Sequence, residues 1–199
     1  MDKLGIKATL YDLLGYALPG GIFIAILYFI QSNDTDLLKI ISSADVTITG
    51  GTLLFFLSYT VGYALSSISS FLFENRLINR IVSMMFVNIY DLKTIRYDVK
   101  SIELFGKPYS EIGSRTAMSF CQKNYPEIYN TAFAFLSIYG MSRNIATALL
   151  LFFPALIVKL DIGYWLCYYL ILCISMIHNY YRFRVYYIHQ IASSILMKI

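Results

Sequence analysis

Residues Tyr139 to Val158 read YGMSRNIATALLLFFPALIV, and the place of one residue in that stretch decides the architecture. Arg143 stands inside an apolar run that begins near Thr131. Either it lies in mid-membrane as a functional charge, or it marks where the membrane ends. Counted back from Val158, the segment starting at Asn144 spans about 22 Å as a helix. Lys159 and Leu160 extend it. A charge at the bilayer centre costs several kcal/mol, whereas an arginine near the edge can snorkel to the headgroups. We therefore read Arg143 as the cytoplasmic boundary of a span, with the mid-membrane charge as the rival.

If Arg143 is a boundary, the helix must start before it. Tyr125-Pro126-Glu127 has the form of a helix start, with proline in the first turn and an acidic side chain at the positive dipole end. A helix from Pro126 to Val158 is roughly 50 Å long, so its first half projects from the membrane. Beyond it, YWLCYYLILCISMI opens at Tyr164, and the chain continues to Met197 without Gly or Pro. The sequence predicts an antiparallel hairpin of two long helices turning at Gly163, half in lipid and half in the cytoplasm. Pro154 removes one helical hydrogen bond and kinks the first of them, either statically or as a hinge.

Composition agrees with a membrane setting. Charged residues are 14% of the 199, against roughly 25% in a typical soluble domain, and 58% are hydrophobic. Mean hydropathy is +0.61. That much apolar surface exceeds what a soluble domain of this length can hide. The N-terminus is expected to stay in the mature protein, because Asp12 interrupts its apolar stretch and no small-residue cleavage site follows. Asp12 reads as an interfacial helix-start residue rather than a proton carrier. Cys121, Cys167 and Cys173 have no CxxC or metal spacing, so neither a disulfide framework nor a metal site is expected.

The expected fold class is all-α: a polytopic membrane protein with four transmembrane helices over about 10–30, 46–73, 144–160 and 163–178. The chain forms a single membrane domain, 1–199, with a cytoplasmic helical part from 74–143 and 179–199. Basic residues set the orientation. With both termini and the middle segment inside, Lys3, Lys7, Arg143, the eight Lys and Arg between Glu74 and Glu127, and the tail's Arg182, Arg184 and Lys198 are cytoplasmic. Only Lys39 and Lys159 fall outside, so the positive-inside rule gives N-in and C-in.

Within the spans, Ser58, Gly62, Ser66 and Ser70 put a small residue at every fourth position of the second helix. Such a stripe lets backbones approach closely in lipid, within one protomer or between two. Leu18-Pro19-Gly20-Gly21 and Gly50-Gly51 are expected flexible points. Between the second and third spans, Leu77, Ile78, Ile81, Met84, Met85 and Ile89 recur at helical spacing. FGKPYSEIG reads as a loop.

The candidate chemistry is thin. His178 and His189 share a helix face with Arg182, as a titratable or anion-binding stripe or as headgroup contact. YYRFRVYY interleaves aromatics with Arg182 and Arg184. That composition can stack on nucleic-acid bases, but one turn past a span it belongs to the membrane interface. We assign Arg143, Arg182 and Arg184 as interface anchors and expect no direct nucleic-acid binding. No nucleophile triad, phosphate loop or metalloprotease motif is present, and no charged ladder runs through the spans. The chain is expected to be no enzyme and to use no cofactor.

YDLLGYALPGG entering the first span, four spans in about 200 residues and a helical tail with NYYRFRVYY resemble the membrane subunits of the bacterial Kiwa anti-phage defence systems. The resemblance implies a homo-oligomeric protein of the bacterial inner membrane that senses infection at the envelope and docks a cytoplasmic, DNA-binding effector. The docking surface would then comprise the 74–125 region and the tail, with Tyr186, Tyr187 and His189 as candidate contacts. The alternatives are a pore-forming effector that depolarises the cell, and a membrane enzyme or small-lipid transporter.

The orientation is directly testable. A reporter fused after Lys100 should be active only in its cytoplasmic form; activity of a periplasm-dependent reporter there would overturn the N-in, C-in reading.

Overall fold

The structure is a computed structural model that describes residues 13–32, 47–74, 102–107, 111–112, 114–159 and 164–196. Among these residues all regular structure is helical. A π-helical turn, Leu13–Ala17, leads into α1 (Leu18–Gln31); α2 (Ile48–Glu74), α3 (Ser114–Asn124), α4 (Pro126–Lys159) and α5 (Tyr164–Leu196) follow. Asp12, the apolar repeat Leu77 to Ile89 and the turn glycine Gly163 lie outside the described residues.

The helix ends have local causes. Thr47 caps α2: its Oγ1 accepts the Gly50 N–H at 3.2 Å and its carbonyl the Gly51 N–H at 2.8 Å. Gly50 and Gly51, expected as flexible points, are therefore tied into the first turn. Gly106 adopts φ +70° and its N–H donates to the Ile102 carbonyl at 2.9 Å. This is the left-handed stop that glycine makes without steric cost. Pro126 opens α4, as its fixed φ suits a first turn.

The chain bends at Tyr125-Pro126. Ala117, before the bend, and Ala132, after it, join one buried cluster with Ile191 of α5. So α3 folds back onto the far end of the α4–α5 hairpin.

Side-chain pairs fix the directions of the long helices. Phe23 meets Phe152 (centroids 4.6 Å) while Gly15 meets Asn144, so α1 runs parallel to α4. Gly20 abuts Ser58 and Gly62 abuts Tyr16, so α2 is antiparallel to α1. Phe153 faces Tyr169 and Tyr139 faces Tyr180, so α5 is antiparallel to α4. The directions alternate around the bundle. One core cluster joins α1, α4 and α5 through Phe29, Ile145, Leu149, Leu156, Tyr169 and Cys173. A second joins α2, α4 and α5 through Phe73, Ala146, Tyr180 and Tyr181.

Three of these segments are long and apolar enough to cross a membrane: Leu13–Gln31, Ile48–Phe73 and Pro126–Val158. The expected fourth, at the start of α5, is not among them. Its apolar stretch is cut short by His178-Asn179, and tyrosines dilute it. Exposed bulky side chains follow a boundary. On α4 they occur only at Leu150, Leu151 and Val158; before Leu150 the exposed residues are Pro126, Glu127, Asn130, Thr131 and Ala134. On α5 they stop at Ile174, after which Ser175, Arg182 and His189 are exposed.

The α1–α2 crossing has almost no space. A Cβ on Gly20 would collide with the Ser58 carbonyl oxygen and come within 2.7 Å of the Gly62 nitrogen; one on Gly62 would collide with the Tyr16 carbonyl. Backbone atoms cannot step aside, so Gly20→Ala or Gly62→Ala should force the helices apart. Overpacking of this kind costs typically 1–3 kcal/mol, read as a lowered unfolding temperature in detergent. An unchanged melt for both variants would mean that the crossing is looser than described.

Candidate functional site

The residues that stand out chemically form one buried polar layer between α1, α2 and α4. Its origin is Pro19. In an α-helix the N–H at position 19 would bond the carbonyl at position 15, and proline has none to give. The backbone before it takes a π-helical turn, Leu13–Ala17. The Gly15 carbonyl is instead served from another helix: Asn144 Nδ2 donates to it at 2.7 Å. Ser69 of α2 donates its hydroxyl to Asn144 Oδ1 at 2.6 Å. One amide, 1% exposed, thus ties three helices together.

Arg143 lies next to it. The sequence reading sends its guanidinium to the headgroups; the structure places it inside the protein, at 8% exposure. Nη2 donates to Ser66 Oγ at 3.3 Å, and the guanidinium sits 5.7 Å from the centre of the Tyr139 ring. Ser142 and Thr147 are also buried, the latter donating to the Arg143 carbonyl at 3.0 Å. A buried arginine held by the Ser66 hydroxyl and beside an aromatic face is suited to holding a helix register.

Of the small-residue stripe, Ser58 and Gly62 pack on α1 and Ser66 holds Arg143, while Ser70 is half-buried. Ser69, one position off that stripe and fully buried, makes the Asn144 contact. Reading at every fourth residue passes over it.

A second proline repeats the theme. Pro154 leaves the Leu150 carbonyl without its helical donor, and the Tyr169 hydroxyl of α5 donates to the neighbouring carbonyl, that of Leu149.

The tail candidates do not form one surface. Tyr187 is turned inward, donating its hydroxyl to Met118 Sδ of α3 at 3.3 Å. Tyr186 is half-exposed; its ring lies 5.5 Å from Phe135 and its hydroxyl accepts from Arg182 Nε at 3.2 Å. Arg184 donates to the Tyr180 hydroxyl at 3.4 Å. Of the three docking candidates, His189 is the exposed one. Burial raises the Tyr187 hydroxyl to about 12, with smaller contributions from Tyr139, Tyr129 and Cys121. Burial likewise raises Tyr180 to about 12, opposed by nearby Arg184. The buried Cys121 thiol is raised by desolvation, against a hydrogen bond with Ser194.

Among the described residues, no three His, Cys, Asp or Glu side chains come together as metal ligands would. No protein-family model, curated protein or solved structure matches the chain.

Two expectations follow. Asn144→Leu strands the Gly15 carbonyl in a dry site, at a cost of about 1–3 kcal/mol, while the Ser69 hydroxyl keeps the Ser66 carbonyl at 2.9 Å. Pro19→Ala restores an N–H for the Gly15 carbonyl, so the double variant should lose less than the sum of the two single losses. Simple additivity of the melting shifts would show that Asn144 does not serve the Pro19 gap. Alkaline pH gives the second. Folded Tyr180 and Tyr187 keep protons that an unfolded chain releases near pH 10. Stability should therefore fall as pH rises from about 10 to 12. Tyr187→Phe should flatten that fall, seen by tyrosinate absorbance alongside circular dichroism.

Proposed function

We propose that the chain is a four-span protein of the bacterial inner membrane, N-in and C-in, that assembles with copies of itself. It acts as a sensor or scaffold subunit in anti-phage defence, detecting infection at the membrane and docking a cytoplasmic, DNA-binding effector. The observation that carries this reading is the boundary along the α4–α5 hairpin. Its two helices pass from a greasy exterior, beyond Leu150 and before Ile174, to a polar one without a break. The polar part continues for about 33 Å and is braced by α3. A membrane bundle fused to a rigid stalk is the form expected of a part that carries information or a partner across the interface. The alternating helix directions support four spans, with the apolar first half of α5 lying beside the membrane part of α4.

Oligomerisation is supported by α2. Its residues 52–57 are exposed all round the helix, leaving room for a neighbouring copy as well as for lipid. The defence role rests on the resemblance of the first span and tail to Kiwa membrane subunits.

Native mass spectrometry of the tagged protein, extracted gently from cells carrying its gene neighbourhood, tests this reading. A defined oligomer with a stoichiometric soluble partner is the expected result. An oligomer without a partner that conducts ions in a planar bilayer would replace the scaffold with a pore.

A further inference from the structure

Nothing in the packing among the described residues accounts for two glycines beside the polar layer. A Cβ on Gly20 or Gly62 would strike backbone, so close approach explains those. Gly15 and Gly140 differ. Among the described residues, a Cβ at either meets no atom within 4 Å, and neither has a positive φ. Both are nevertheless in helical backbone, where glycine is destabilising by roughly 0.5–1 kcal/mol relative to alanine.

Their positions are related. Gly140 and Asn144 are four residues apart on α4, and so share one helix face. Gly15 contributes the carbonyl that Asn144 holds. It also lies within the π-helical turn, and isolated π-turns are often found at functional sites. The two glycines thus flank the side chain that ties the Gly15 carbonyl to α4 by a hydrogen bond. Gly140 also falls between the apolar exterior that begins at Leu150 and the polar exterior of the stalk. A bend there would swing the stalk against the membrane part.

We propose that the polar layer is a latched hinge. Asn144 is the latch, holding the π-turn of α1 through the Gly15 carbonyl and α2 through Ser69. Gly140 is the point at which α4 bends when the latch opens. In the latched state three helices are locked to one amide. When the π-turn shifts, the Gly15 carbonyl parts from Asn144, and Pro19 keeps it from finding an α-helical donor instead. The α4 helix then loses this tie four residues from Gly140, while its apolar contacts with α1 nearer Phe152 remain. The device links the membrane end of α1 to the orientation of the stalk, and it holds whether the stalk docks an effector or not.

Hydrogen exchange of the full chain in phosphatidylethanolamine–phosphatidylglycerol nanodiscs, read by mass spectrometry, tests it. Asn144→Ala should accelerate exchange at residues 13–17 and 137–143 together, by about tenfold, and leave 150–158 unchanged. Gly140→Ala should slow exchange at 137–143, because alanine stiffens the helix without a clash. Acceleration confined to 13–17 in the first variant would overturn the coupling. Unchanged or faster exchange at 137–143 in the second would overturn the hinge. If Asn144→Ala does not yield folded protein, the Gly140→Ala result decides alone.

Discussion

The bundle depends on a hydrogen bond that proline makes necessary. Pro19 withholds the N–H that the Gly15 carbonyl needs, and at a site buried in the protein bulk water does not take its place. A polar side chain from elsewhere in the protein must supply the bond, and Asn144 does so. Its position follows from that need. α4 has to pass α1 where the carbonyl emerges, and α2 has to bring Ser69 to the amide's oxygen. Apolar packing between helices is not selective in lipid, where the surrounding tails are as greasy as leucine. The polar layer and the tight Gly20–Gly62 crossing supply the register that packing alone leaves loose.

Arg143 extends the same logic. A guanidinium in this position is tolerable only if it is surrounded by groups that replace its hydration. Ser66 and the face of Tyr139 contribute to that surrounding. Placing Arg143 and Asn144 side by side concentrates the polar demand of α4 into a single turn. The rest of the helix is then free to be apolar toward Val158 and mixed toward Pro126.

Much of the helical layout is written in the chain. Helices expected over Pro126–Val158 and Tyr164–Met197 are found at Pro126–Lys159 and Tyr164–Leu196. Their signals are strong and local: a proline at the start, a hydrophobic run, and no breaker until the end. The expected fourth span is not among the three long apolar helices, because α5 spreads its apolar side chains among tyrosines. The functional layer is harder to read. Asn144 looks like an ordinary polar residue at a membrane edge, and its role needs a partner 129 positions away. The one available clue was arithmetic: position 19 minus four points to the Gly15 carbonyl. Arg143 was visible as an anomaly, but its inward orientation is decided by Ser66 on another helix. Tyr187 looks like an exposed interfacial aromatic until α3, whose place depends on the bend at Tyr125-Pro126, covers it.

The shared amide also bears on how such a protein is made. Helices are made in chain order, and α4 brings an arginine and an asparagine to a layer buried between helices. Those groups meet their partners only if α1 and α2 are already there, with the Gly15 carbonyl and the Ser66 and Ser69 hydroxyls in place. The two N-terminal helices are therefore a template for the placing of α4. A chain broken between the two halves would need both pieces in the same membrane, the first one early, before the second became anything but a target for quality control.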